Sequence, residues 1–178
     1  MRILAHIATY FLLAVVVGAV WRVTPFEVVA PDVALLFALY LGITSGRSSL
    51  LEATIAANMI GYLHDVLAGV PRGLGAVVLG AMCILSRFST ARLLVRGGFF
   101  IAGFAFVFSI AASLAMIALR VYLEAPVGAF ASELVTAIGT GVLTAIVAPP
   151  VLRLCRFIDA KFARTQRERE AIRDGYLG

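Results

Sequence analysis

The chain has 178 residues, of which 62% are hydrophobic and 14% charged, with a mean hydropathy of +1.02; soluble domains carry roughly 25% charged residues, so the chain reads as an integral membrane protein. Its net charge of +5 sits mostly on arginines outside the apolar runs, a distribution that bears on orientation in a bilayer and makes nucleic acid a poor partner, since anionic lipid accounts for a short basic tail beside a membrane helix. At about 20 residues per crossing the length allows five or six spans and no separate soluble domain.

The first apolar run, Ile3 to Trp21, ends in Trp21-Arg22 as interface anchors without a small-x-small cleavage pattern, so it reads as a retained span. Pro31-Asp32 opens span two, with the proline at an early helical position and the carboxylate near the positive end of the helix. Span two stops at Thr44. So short a span requires a thinned bilayer, a cover of protein, or an earlier start near Phe26 with a kink at Pro31.

Ser45 to Ser49 form a turn, and span three runs from Leu50 to Leu67. Its Thr54, Asn58, Gly61 and Asp65 recur at spacings of four, three and four, which places them on one helical face. Ala53, Ala57 and Gly61 add a line of small residues suited to close helix packing. Span three therefore faces protein and reads as the centre of the bundle, with Asn58 as an interhelical hydrogen-bonding group.

The stretch Leu63-His64-Asp65-Val66-Leu67-Ala68-Gly69-Val70-Pro71-Arg72-Gly73-Leu74-Gly75 breaks the apolar pattern. Gly69 is placed to end span three in a left-handed turn, and Pro71 forbids its continuation, so the segment is a tight helical hairpin at a membrane surface. Asp65 lies at the unfavourable end of its own helix dipole and needs a neighbour, either Arg72 or the free amides at Gly73 to Gly75. If the hairpin only closes the bundle, Asp65→Asn is tolerated, because an amide still accepts a hydrogen bond.

Span four runs from Gly73 to Ser86, followed by an interfacial segment from Arg87 to Arg96. Span five covers Phe99 to Leu119 and span six Ser132 to Val151, where Pro149 and Pro150 bend the last turn. Ser132, Thr136, Thr140 and Thr144 repeat every four residues on span six. A hydroxyl stripe lines a solute path in some proteins, but helix packing is the commoner cause, and Thr136 and Thr140 are assigned to packing. Arg153 to Gly178 form a basic cytoplasmic tail, beginning as an interfacial helix on anionic lipid; residues 1–152 form the membrane domain.

With six spans and the amino terminus inside, twelve of the fifteen Lys and Arg residues fall on the inner side, against Arg22, Arg72 and Arg120 outside. This asymmetry predicts both termini in the cytoplasm. The chain carries no phosphate-cradling glycine loop, no Cys/His metal spacing and no set of nucleophile, base and oxyanion device, so neither a cofactor nor catalysis is expected.

Two segments carry a resemblance. Pro31-Asp32-Val33-Ala34-Leu35-Leu36-Phe37-Ala38-Leu39-Tyr40 and Gly61-Tyr62-Leu63-His64-Asp65-Val66-Leu67-Ala68-Gly69-Val70-Pro71-Arg72-Gly73-Leu74-Gly75 resemble the family of the rod-shape-determining protein MreD. In that family a proline and short apolar span ending in an aromatic are followed by a G-x-x-x-D-[VL]-[LI]-x-G-x-x-x-G-like hairpin. Length, span number and the basic tail also match, while His64 departs from the apolar or amide residue expected there.

The resemblance implies an all-α integral membrane protein with six transmembrane helices in one bundle, similar to the substrate-binding subunits of energy-coupling-factor vitamin transporters. It implies a scaffold of the cell-elongation complex in the bacterial inner membrane, organising lateral peptidoglycan synthesis without catalysis. The partners implied are MreC and, through the complex, MreB, a SEDS glycosyltransferase and a class B penicillin-binding transpeptidase; a homo-oligomer is left open. Asp65, Gly69, Pro71, Arg72 and Gly73 form the expected partner-binding or structural hairpin, and Ala53, Ala57, Asn58, Gly61, Thr136 and Thr140 the expected helix-packing positions. The rival is a solute-binding transporter subunit, with a pocket lined by Asn58, Asp65, Thr136 and Thr140. An intramembrane hydrolase is a distant third. A side-chain-filled interior favours the scaffold, and a pocket of a few hundred cubic ångströms favours transport.

Overall fold

The computed structural model describes residues 2–21, 23, 29–44, 49–69, 73–92, 98–123, 128 and 130–162. They form six helices and, among the described residues, no strand: α1 Arg2–Trp21, α2 Val33–Thr44, α3 Leu50–Ala68, α4 Leu74–Arg92, α5 Gly98–Tyr122 and α6 Phe130–Phe162. Three are long and apolar enough to cross a membrane, over Ile3–Trp21, Phe99–Tyr122 and Phe130–Lys161. Their outward side chains are large and apolar: Leu4, Leu12 and Val16 on α1, Phe99, Phe100 and Val107 on α5, and Val135 and Ile146 on α6 are all exposed.

The centre of the bundle is α2, not α3. Val33 through Thr44 are buried apart from Ile43, with Leu35, Leu36, Phe37 and Ala38 at 0% exposure. Twelve residues reach only about 18 Å at 1.5 Å each, short of a hydrocarbon core of about 30 Å. A helix this short and this apolar is stable only when other helices cover it, and α1, α3, α4 and α6 all pack on it. Asp32 precedes the helix as its cap: its Oδ1 accepts from the Leu35 amide at 2.9 Å. Pro31 therefore lies just outside the helix and not within its first turn.

On the α3 side, Ser49 caps the helix by accepting from the Glu52 amide at 3.2 Å. The buried face of α3 consists of Ala53, Ala56, Ala57, Ile60, Gly61 and Asp65, so the small residues Ala53, Ala57 and Gly61 share one buried face with Asp65. It meets α4 closely, since a Cβ added at Gly61 would lie 2.5 Å from the Gly75 carbonyl oxygen and 2.6 Å from the Ala76 Cα. Asn58 differs from its expected role. It is exposed at the rim of this contact, its side chain lies against Gly80, and among the described residues it makes no hydrogen bond to another helix.

The sixth helix does not end at Val151. It continues through Pro149 and Pro150 to Phe162, 33 residues in all, and Cys155, Ile158 and Asp159 within its last turns are buried. Residue 153, the expected start of the tail, lies inside this continuous helix. Arg153 and Phe157 face outward there, with the Lys161 ammonium 4.8 Å from the Phe157 ring centre. The basic residues beyond Phe162 lie outside the described residues, as do Pro71, Arg72 and the connection from 93 to 97.

Candidate functional site

The α3–α4 hairpin has the expected chain reversal. Gly69 takes the left-handed conformation at φ 68° and donates its amide to the Asp65 carbonyl, ending α3. Gly73 also has a positive φ of 99°. The Asp65 side chain, 0% exposed, then serves the start of α4: Oδ2 accepts from Gly73 at 2.8 Å, and both oxygens lie 3.0 Å from the Gly75 amide. A carboxylate at the wrong end of its own helix dipole is thus stabilised at the right end of the next one. Of the two partners expected for Asp65, the backbone amides are in place; Arg72 lies outside the described residues.

His64, the next residue, points elsewhere. Its Nδ1 is 3.3 Å from the Tyr10 hydroxyl of α1, and it borders two cavities. One, of about 620 Å³, is an apolar groove between α1, the start of α2 and the end of α3, with Ala14, Gly18, Ala34 and Leu67 in its wall. The other, of about 190 Å³, is polar: Asp32, His64, Ser113, Arg120, Glu133, Thr136 and Thr140 line it together with apolar residues of α4 and α5. Thr136 and Thr140, expected to pack helices, are therefore cavity-wall residues. The next member of the stripe, Thr144, is fully buried and accepts from the Asp32 amide at 2.9 Å, tying α6 to the start of the central helix.

A second polar cluster lies at the opposite end of the bundle. The Tyr40 hydroxyl near the end of α2 donates to Asp159 Oδ2 of α6 at 2.8 Å, and His6 Nε2 of α1 lies 3.4 Å from Asp159 Oδ1. The His6 ring stacks on Tyr40 with centroids 5.7 Å apart and meets Phe37 edge-on at 6.4 Å. All three polar residues are at most 2% exposed. The cluster joins three helices distant in sequence, and the sequence reading missed it. Two signals were there to be used: an ionisable residue inside an apolar span, which marks a site needing a partner, and the only acid between Arg153 and Arg167. Asp159→Asn, which keeps an acceptor for Tyr40 but removes the negative charge facing His6, is expected to lower stability by about 1–2 kcal/mol, measured as a drop in thermal unfolding temperature of the purified protein.

Among the described residues no group of three or more His, Cys, Asp or Glu side chains is placed to hold a metal ion. No protein-family model, curated protein or solved structure matches the chain. The class that the fold defines, among the described residues, is an all-helical protein with three helices long and apolar enough to cross a membrane. Its hairpin, polar cavity and buried three-helix cluster bring together the polar and ionisable side chains described above.

Proposed function

We propose that this protein is a non-catalytic scaffold of the bacterial inner membrane that helps organise lateral cell-wall synthesis and maintain rod shape, with six spans and both termini in the cytoplasm. The observation that supports a contact role is the filled centre: among the described residues, eleven of the twelve residues of α2 are buried. The specific assignment rests on the resemblance of the Pro31–Tyr40 and Gly61–Gly75 segments to the MreD family. It entails binding of MreC and association with the MreB filament, the SEDS glycosyltransferase and the class B transpeptidase. The twelve-to-three division of basic residues supports the orientation.

The solute-binding reading has the polar cavity in its favour, because Thr136 and Thr140 line it together with charged residues. Its volume of about 190 Å³ is below the roughly 300 Å³ at which drug-sized ligand sites begin; the apolar groove of about 620 Å³ is large enough, but none of Asn58, Asp65, Thr136 and Thr140 lines it. Co-purification separates the two readings. The detergent-solubilised full chain should bring down a bitopic periplasmic coiled-coil protein; recovery of an ATPase module in its place would reverse the choice. On the scaffold reading, Pro71→Ala and Arg72→Glu each reduce that recovery by roughly tenfold, the loss of one good contact, and round the cells while the protein still accumulates in the membrane. Full recovery and normal shape in both variants would move the interface to the lipid-facing sides of the spans.

A further inference from the structure

The polar cavity contains an unused donor. Arg120 near the end of α5 lines it, and the buried Nε of this guanidinium has no hydrogen-bond partner. Buried donors in folded proteins are nearly always paired, so an orphaned one calls for an explanation. In the wall of the same cavity, Glu133 from the first turn of α6 accepts, among the described residues, a long 3.4 Å contact from the Gly128 amide, which leaves acceptor capacity for a ligand. Thr136 donates its hydroxyl proton to the Ser132 carbonyl at 2.9 Å; its oxygen therefore meets the cavity as an acceptor. His64 and Asp32 complete a lining with charged or ionisable groups of both kinds.

We propose that this cavity binds a compact zwitterion, with its carboxylate or phosphate oxygens on the Arg120 guanidinium beside His64 and its ammonium on Glu133 and the Thr136 hydroxyl oxygen. A plain anion would face the carboxylates of Glu133 and Asp32 without compensation, and a plain cation would face Arg120. Size limits the choice as firmly as charge. A volume of about 190 Å³ equals about six waters at ~30 Å³ each, enough for an amino acid with a small side chain or for a phosphoethanolamine group. The cavity is built from Asp32 before α2, the end of α3, the start of α4, the second half of α5 and the start of α6. Aqueous solutes and lipid headgroups are the two sources of this chemistry. The inference stands apart from the scaffold reading, since a scaffold and a transporter subunit are equally able to carry such a site.

The test uses the full chain in nanodiscs of phosphatidylglycerol, titrated calorimetrically with alanine and with glycerophosphoethanolamine, and with ethanolamine and glycerol phosphate as single-charge controls. A parallel arm compares thermal unfolding in discs with and without phosphatidylethanolamine. Saturable binding of alanine supports a free amino acid as the source. Binding of glycerophosphoethanolamine, or stabilisation by the intact lipid alone, supports the headgroup. In either case Arg120→Gln and Glu133→Gln should each weaken the effect at least tenfold, and the single-charge controls should bind at least tenfold more weakly than the zwitterion. Arg120→Lys, which keeps the charge but loses the planar fork, serves if the glutamine variant does not accumulate, and should weaken binding in the same direction. Absence of binding and stabilisation with every probe, equal response in the variants, or glycerol phosphate binding as tightly as the zwitterion would each overturn the proposal.

Discussion

Gly61→Leu is expected to abolish most of the folded protein, and even Gly61→Ala to lower stability measurably. At Gly61 the backbones of α3 and α4 approach so closely that a single Cβ would sit 2.5 Å from the Gly75 oxygen and 2.6 Å from both the Gly75 carbonyl carbon and the Ala76 Cα. All three are main-chain atoms, so no rotamer change relieves the contact, and the helices must separate. Overpacking of this kind costs typically 1–3 kcal/mol for a small insertion; a leucine, with three more carbons aimed at the same backbone, exceeds that range. The measurement is folded yield and thermal unfolding in detergent, with Gly18→Ala as the control. Nothing lies within 4 Å of a Cβ at Gly18, so that variant should behave as the parent does. Equal stability of Gly61→Leu and the parent would show that the α3–α4 contact is not the seam of the bundle.

Asp65→Ala is expected to lose about 3 kcal/mol or more. The side chain is fully buried and holds the amides of Gly73 and Gly75, the first free donors of α4. Removing it orphans both, at about 1–3 kcal/mol for each buried donor. It also removes the only charge set against the positive end of α4 by these contacts. Asp65→Asn falls between the parent and alanine. Oδ2 alone receives both amides, so the asparagine oxygen can occupy that position, but its NH₂ then faces the Gly75 amide where Oδ1 accepted before. The expectation that asparagine is simply tolerated thus gives way to a partial loss. Ranking the three proteins by thermal unfolding checks it, and indistinguishable alanine and parent proteins would refute it.

The two variants also show how far residue spacing reaches. The recurrence of Ala53, Ala57 and Gly61 at every fourth position pointed to a close helix face without any knowledge of its partner, because small residues at that spacing have little other use in a membrane helix. Gly69 and Asp65 were legible for a similar reason: helix termini leave free amides and carbonyls that only a few residue types can satisfy. Asn58 lies at the edge of the same face, where it touches Gly80 of α4 while remaining exposed; a rotation of a few tens of degrees separates rim from interior. The run through Pro149 and Pro150 was read as the end of a span, yet α6 continues. A proline removes one donor and bends the helix, and burial of Cys155, Ile158 and Asp159 against the rest of the bundle offsets that cost.

What the sequence determined by itself is the apolar helical character of the chain and the left-handed end of α3 at Gly69 with Asp65 serving the next helix. These follow from local rules: hydrophobic run length, capping residues and the φ preferences of glycine and proline. The tertiary structure alone decided that α2 is the enclosed centre, that Thr136 and Thr140 border a cavity while Thr144 holds Asp32, and that His6, Tyr40 and Asp159 meet. In a membrane chain nearly every helix is apolar on all sides, so the hydrophobic pattern that tells inside from outside in a soluble protein is lost. Which apolar face meets protein and which meets lipid, and which distant polar groups find one another, is settled by helix packing and not by the pattern along the chain.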